Sequence, residues 1–183
     1  MKKSAILIIT LTFSLISFCQ EKEIRELTPE ILKSIKTDVN TDAQKFKATL
    51  SMNDLTTVQI EFSVDTFKIE QIASKRMDID YSTAGINSTI NDLTASYDIL
   101  LNKYYQKLLK SLKIEDRKVL IDAQRAWIAY RDSEAKLIWT MKDVEYSRGG
   151  TIQSNIATIN YNYMVKYRAI EIYSYYESNI LKD

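Results

Sequence analysis

The chain has no histidine and a single cysteine, Cys19, among its 183 residues. Without histidine there is no Ser/His or Cys/His dyad and no imidazole-based zinc site, and one cysteine leaves no intrachain disulfide. Glycine occurs three times and proline once, too few for the many turns of an all-β chain. An excess of one charge is missing as well, with 25 basic residues against 24 acidic ones. No basic stripe is available to neutralise phosphates, which argues against nucleic acid as a partner. Any enzyme built on this chain would have to work with carboxylates, Lys, Tyr or Ser. No motif for a metal or a cofactor is present, and neither is expected.

What the sequence does have is helical periodicity. The length suits one domain, or one domain with an appended helical segment. From Tyr97 to Asp132, Leu101, Tyr104, Leu108 and Leu112 recur at helical spacing, as do Leu120, Ala123, Trp127 and Tyr130. A short polar break, Lys113-Ile114-Glu115-Asp116, separates the two runs and predicts an antiparallel helical hairpin. Further upstream, Thr28-Pro29-Glu30 is a helix start, and Leu27–Met52 reads as a helix with a polar patch at Thr37–Asp42 that threatens to break it. Asn53-Asp54 reads as turn and cap. Leu55–Met77 reads as a second helix, in competition with a strand over Thr57–Val64, where apolar and β-branched residues alternate. The fold expected is all-α: an antiparallel helical bundle of about four to five helices with short loops.

Met1–Cys19 carries two lysines and then an apolar run from Ala5 to Phe18. This is a secretory leader pattern, too short for a spanning helix. Ser17-Phe18-Cys19 favours cleavage after Cys19. Lipidation of Cys19 is the competing reading, and bulky Phe18 counts against it. Loss of Lys2 and Lys3 with a cleaved leader leaves 23 basic and 24 acidic residues, a balance of −1. The expected division is a signal peptide at 1–19, an N-terminal helical region at 20–80 and a helical domain at 81–178. The product is an exported protein, periplasmic or secreted, with no transmembrane segment in its mature chain. The sequence sets no oligomeric state.

The runs "YDILLNKYYQKLL", "AQRAWIAYRD", "GGTI" and "KYRAIEI", in that order, resemble the LprI-type lysozyme-inhibitor domain family of bacterial envelope proteins. The likeness covers roughly Tyr81 to Tyr176. It implies a helical fold and a protein partner, a lysozyme-type muramidase. It also marks recurring positions: Asp98 and Asn102 on one helix, Gln124, Arg125, Trp127, Tyr130, Arg131 and Asp132 on the next, and Arg168 and Glu171 on the last. One reading makes these a recognition surface. The other makes them a hydrogen-bonded network that pins three helices through bidentate arginines. Two departures stand out. Ala135 and Ile159-Asn160 lie where many members carry cysteines, and Val165 lies where a threonine is common.

Glu145–Gly150 is the clear loop of the C-terminal half. Gly149-Gly150 supply positive φ, and Thr151 is placed to cap the next helix. The loop offers Tyr146, Ser147, Arg148, Gly149 and Gly150 as a partner-binding set, a cation with hydroxyls for a muramidase cleft built on two carboxylates. Trp127, Tyr104 and Tyr105, and Ile152, Ile156, Ile159 and Tyr163 on the last helix, read as core by their spacing. Seven of twelve tyrosines lie at or beyond Tyr146, more than one helix can bury on one stripe. The eight acids and three bases between Asn53 and Asp98 read either as a face for a cationic partner or as a solvated helix surface. Three roles remain. The first is an exported muramidase inhibitor, the second an envelope scaffold with no lysozyme partner. The third, a carboxylate-based glycan hydrolase, fits least, because Asp132 and Glu134 are two apart on a helix and diverge.

Overall fold

In the computed structural model, which describes residues 23–181, local signals set most of the helix boundaries. The leader and both readings of Cys19 lie outside the described residues. α1 spans Pro29–Leu50, with the Thr28 hydroxyl accepting from the Ile31 N–H and Pro29 in the first turn. It runs unbroken through the Thr37–Asp42 patch, because Val39 and Ala43 are buried on its inner face. α2 spans Thr57–Met77. Thr56, not Asp54, caps it, exchanging hydrogen bonds with Gln59 at 3.2 and 2.8 Å. This capping box carries the chain into a helix over the stretch where a strand competed. α3 spans Thr83–Ser111, α4 Ile114–Met141, α5 Val144–Ser147 and α6 Ile152–Ile180. The described residues thus form six helices and no strand, one of the six a single turn, against the four to five expected.

The start of α3 shows why a glycine stands at position 85. Ser82 caps the helix by accepting from the Gly85 N–H at 3.0 Å, and the Asp80 carboxylate accepts from the Ser82 hydroxyl at 2.6 Å. That carboxylate lies where a side chain at Gly85 would sit.

The expected hairpin of α3 and α4 does not form along their length. α3 packs instead on α6, and the two run parallel. Three side-chain bonds tie them at a constant offset: Asn87 to Ser154 at 2.8 Å, Asn162 to Thr94 at 3.0 Å and Asn179 to Ser111 at 3.0 Å. α4 is the return stroke that makes this possible, since it runs antiparallel to α6 and lies against its far side. Leu112 and Lys113, both extended, swing α4 away from α3. α4 adds one buried residue to the core, Leu120 near this hinge, with Trp127 packed half-buried against it. α6 wins the inner face of α3 because Val165, Ala169, Ile172 and Tyr173 bury fully there. The α4 stripe offers only Leu120 before Ala123, Trp127 and Tyr130 turn outward or half outward.

This close approach overturns part of the expected core. On α6 the buried face carries Asn155, Ala157, Thr158 and Asn162, small or polar residues that let the backbones meet. Ile152, Ile156 and Tyr163 face outward instead. Tyr104 is fully buried, while Tyr105 and Trp127 are half-buried. Phe62 of α2 stacks on Tyr173 at 3.6 Å, and Tyr104 meets both rings edge-on at 5.3 and 5.1 Å. α2 therefore caps the α3–α6 pair, antiparallel to both. α1 packs on the outside of α2, where Phe46 stacks on Phe67 at 4.6 Å.

Half of the acids of Asn53–Asp98 are paired across helices at the partly exposed edges of the bundle. Glu61 binds Lys103 and Lys107, Asp65 binds Lys103, Asp92 binds Arg76 and Glu70 binds Lys166. Glu70 also accepts the Tyr97 hydroxyl, joining α2, α3 and α6 at one carboxylate. Burial and that hydrogen bond push the Tyr97 phenol well above its ordinary range. Burial works against the charge on Glu61, yet the hydrogen bonds from Lys103 and Lys107 outweigh it and hold the carboxyl below its usual value. Lys103, opposed by burial but bonded to Asp65 and Glu61, is raised.

Two outcomes are expected. Ala169→Leu should force α3 and α6 apart and destabilise the fold by about 1–3 kcal/mol in urea unfolding. Thermal melts should hold steady between roughly pH 5 and pH 10. As the pH falls through the lowered Glu61 value its contribution is lost, and as the pH rises through the raised Lys103 value that contribution is lost. Glu61→Gln should flatten the acid limb.

Candidate functional site

The loop between α4 and α6 is held by its own hydroxyl. The Ser147 side chain donates to the Lys142 carbonyl at 2.7 Å and accepts from the Gly149 N–H at 3.1 Å. The Gln153 amide donates to the Ser147 carbonyl at 3.3 Å. α5 supplies one turn, and then three successive residues take positive φ: Arg148 at 64°, Gly149 at 80° and Gly150 at 96°. The two glycines adopt this freely. For Arg148 the left-handed conformation costs about 1–2 kcal/mol, and it is the single non-glycine residue so placed among those described. Thr151 stands at the cap position of α6 but makes no side-chain capping bond. Tyr146 and Arg148 are exposed, and the Arg148 side chain makes no ion pair among the described residues. The loop is therefore a rigid tip with a cation and a phenol on its surface.

The second set lies where α4 crosses α6. Arg168 is buried, donates to Gln124 at 3.1 Å and to Glu171 at 2.6 Å, and faces the Trp127 ring at 5.7 Å. Arg131 flanks the same indole at 5.4 Å and pairs with Asp132. Two guanidinium groups thus lie within cation–π reach of the ring, and that of Arg168 ties α4 to α6. The other positions do not join it. Arg125 is exposed and pairs only with Asp122 on its own helix at 3.7 Å. Asp98 and Asn102 bond to each other on the outward side of α3. The structure brings together two helices here, not three. The three-helix junction is Glu70–Tyr97–Lys166, for which the sequence offered no pattern, since each residue lies on a different helix.

The α4–α6 seam itself is a groove, and the motif positions Trp127, Tyr130, Arg168 and Glu171 line its middle. Tyr130, Met164 and Tyr167 line a depression of about 470 Å³ over Trp127 and Arg168. Toward the loop, Leu137, Met141 and Ile156 line another of about 210 Å³. Toward the hinge, Val119 and Tyr175 line a third of about 510 Å³. Tyr175 donates to Glu171, which raises its phenol. The surplus of C-terminal tyrosines accordingly divides: Tyr173 enters the core, while Tyr146, Tyr163, Tyr167 and Tyr175 stay exposed.

A family model described as "Lysozyme inhibitor LprI" matches residues 73–172, more than half of the chain. The chain belongs to the LprI lysozyme-inhibitor family. The matched span opens on the last turn of α2 and takes in α3, α4, the loop and most of α6. Both the loop and the Trp127 crossing fall inside the LprI region, while α1 and most of α2 fall outside it. No curated protein and no solved structure matches the chain. The family points to a protein partner such as lysozyme, and to inhibition rather than catalysis. No described helix is long and apolar enough to cross a membrane, and no described cluster of acids could hold a metal ion.

Arg168→Ala should strand Gln124 and Glu171 at the crossing and cost about 2–4 kcal/mol. Arg125→Ala should stay within about 0.5 kcal/mol of the parent, as a surface substitution does. Paired urea titrations of the two variants measure the difference.

Proposed function

We propose that this chain is an exported, non-enzymatic inhibitor that blocks a muramidase by placing the Tyr146–Gly150 loop in its cleft. The observation that carries the reading is the conformation of Arg148. A non-glycine residue held at positive φ is retained where the surroundings over-determine it, and such strain clusters at functional positions. Here Arg148 is the left-handed C-cap of α5, its N–H donating to the Val144 carbonyl at 3.2 Å, and the Ser147 hydroxyl fixes the residues on either side. A muramidase cleft works with two carboxyl groups. A guanidinium meets carboxylates through short, charge-assisted bonds, and a loop already rigid loses little freedom on docking. Membership of the LprI family supports a lysozyme-type partner. With acids tied up in helix–helix pairs and little net charge, the chain has no strong field to steer encounter, so affinity rests on the fit of the tip.

The test is lysis of cell-wall suspensions by several lysozyme types, with the purified protein added at increasing ratio. The parent should inhibit near equimolar ratio. Arg148→Glu combined with Tyr146→Ala should weaken inhibition by roughly 30-fold or more, the loss of about 2 kcal/mol or more expected of an interface hot spot. Inhibition unchanged by the double substitution removes the loop from the contact. Absence of binding to any muramidase favours a scaffold role in the envelope instead.

A further inference from the structure

α4 is a helix with half its apolar surface unused. It is 28 residues long, yet only Leu120 and Gln124 are buried. Val119, Tyr130, Leu137 and Met141 are each about half exposed or more. All four line the depressions that run down the α4–α6 seam, where Ile156 and Tyr167 of α6 are exposed beside them. Two antiparallel helices with one open apolar face are half of a four-helix bundle. We propose that the missing half is a second copy of this chain, seated seam to seam about a two-fold axis.

Three features favour a copy over another occupant. The first is size. From Val119 to Met141 the face is about 33 Å long at 1.5 Å per residue, and two packed helices make it about 20 Å wide. That footprint, roughly 700 Å² per copy, approaches the ~800 Å² per partner of a stable interface. The second is composition: at the centre Tyr130, Met164 and Tyr167 surround one charge pair, Arg168–Glu171, already matched within the chain, and exposed aromatics with Met are the pattern of an interface core. The third is the charge at the ends. Lys142 borders the loop-end depression and Asp116 the hinge-end depression. A two-fold axis near Tyr130 reverses one seam against the other and brings each Lys142 level with the partner's Asp116. A net charge near zero adds no repulsion between copies. In this assembly the two Arg148 loops stand at opposite poles, clear of the interface.

Sedimentation velocity of the full chain, from about 1 to 200 µM, tests this without any muramidase present, so its outcome is separate from that of the inhibition assay. The parent should sediment as a dimer. Leu137→Glu and Tyr167→Glu, both at exposed positions, should keep the helical circular dichroism and raise the dimer dissociation constant 100-fold or more. Ile99→Glu, exposed on α3, should leave it unchanged. A parent that stays monomeric throughout overturns the proposal, as does a dimer indifferent to both seam variants. A monomeric parent whose muramidase binding is lost in Leu137→Glu also overturns it, and hands the face to the muramidase.

Discussion

The parallel seam of α3 and α6 is the constraint from which the rest of the molecule follows. Two helices can run parallel only if the chain between them travels back the length of the pair. α4 does that travelling, and it is therefore held on one side only. The seam also needs small and polar residues at its centre, because bulky ones would keep the backbones apart. Asn87 donates to Ser154 and Asn162 donates to Thr94 across it, while the Asn87 and Asn155 amide oxygens and the Thr89 hydroxyl are buried without a partner, so the close approach of the helices carries a polar cost. Val165, Ala169, Ile172 and Tyr173 fill the rest of the seam, and Ile156 and Tyr167 are left on the open side, beside α4.

The charges tell the same story. Glu61, Asp65 and Glu70 on α2 face lysines that come from α3 and α6. They fix which helices α2 covers and in what register, and they leave little surplus charge on the surface. Each such pair is partly exposed and modest alone. Repeated along one helix they select an orientation, since reversing α2 would set acids against the wrong neighbours. The function is then left to shape: a strained loop at one end and an apolar seam along the side.

Much of this was legible in the residues. Thr28 and Pro29 announced α1, the spacing of Leu101, Tyr104 and Leu108 announced the core face of α3, and Gly149-Gly150 announced the turn. What the residues did not reveal was partner choice among helices. Leu120, Ala123, Trp127 and Tyr130 have the same period whether they face α3, α6 or water, so periodicity alone suggested a hairpin that did not form. The α6 face was misread for a related reason. Its buried side carries Asn155, Thr158 and Asn162, which look solvated, and its exposed side carries Ile152, Ile156 and Tyr163, which look buried. The Arg168–Trp127–Arg131 stack was half legible: the residue types pointed to a network, but Arg125, Asp98 and Asn102 point elsewhere, and only the crossing angle of α4 decides that.

The constant offset between α3 and α6 bears on how the chain reaches its native state. Partners across the seam lie 67 or 68 residues apart. Such non-local pairing raises contact order and slows folding relative to a bundle of successive hairpins. Until α6 has been made, α3 has only α2 to cover part of its inner face. Up to that point Tyr97, Leu101 and Tyr104 lack their α6 neighbours, and a truncation that removes α6 from Ile172 onward would uncover Tyr104 and leave it prone to aggregate. The helix that follows the other five is thus the one that closes the interior.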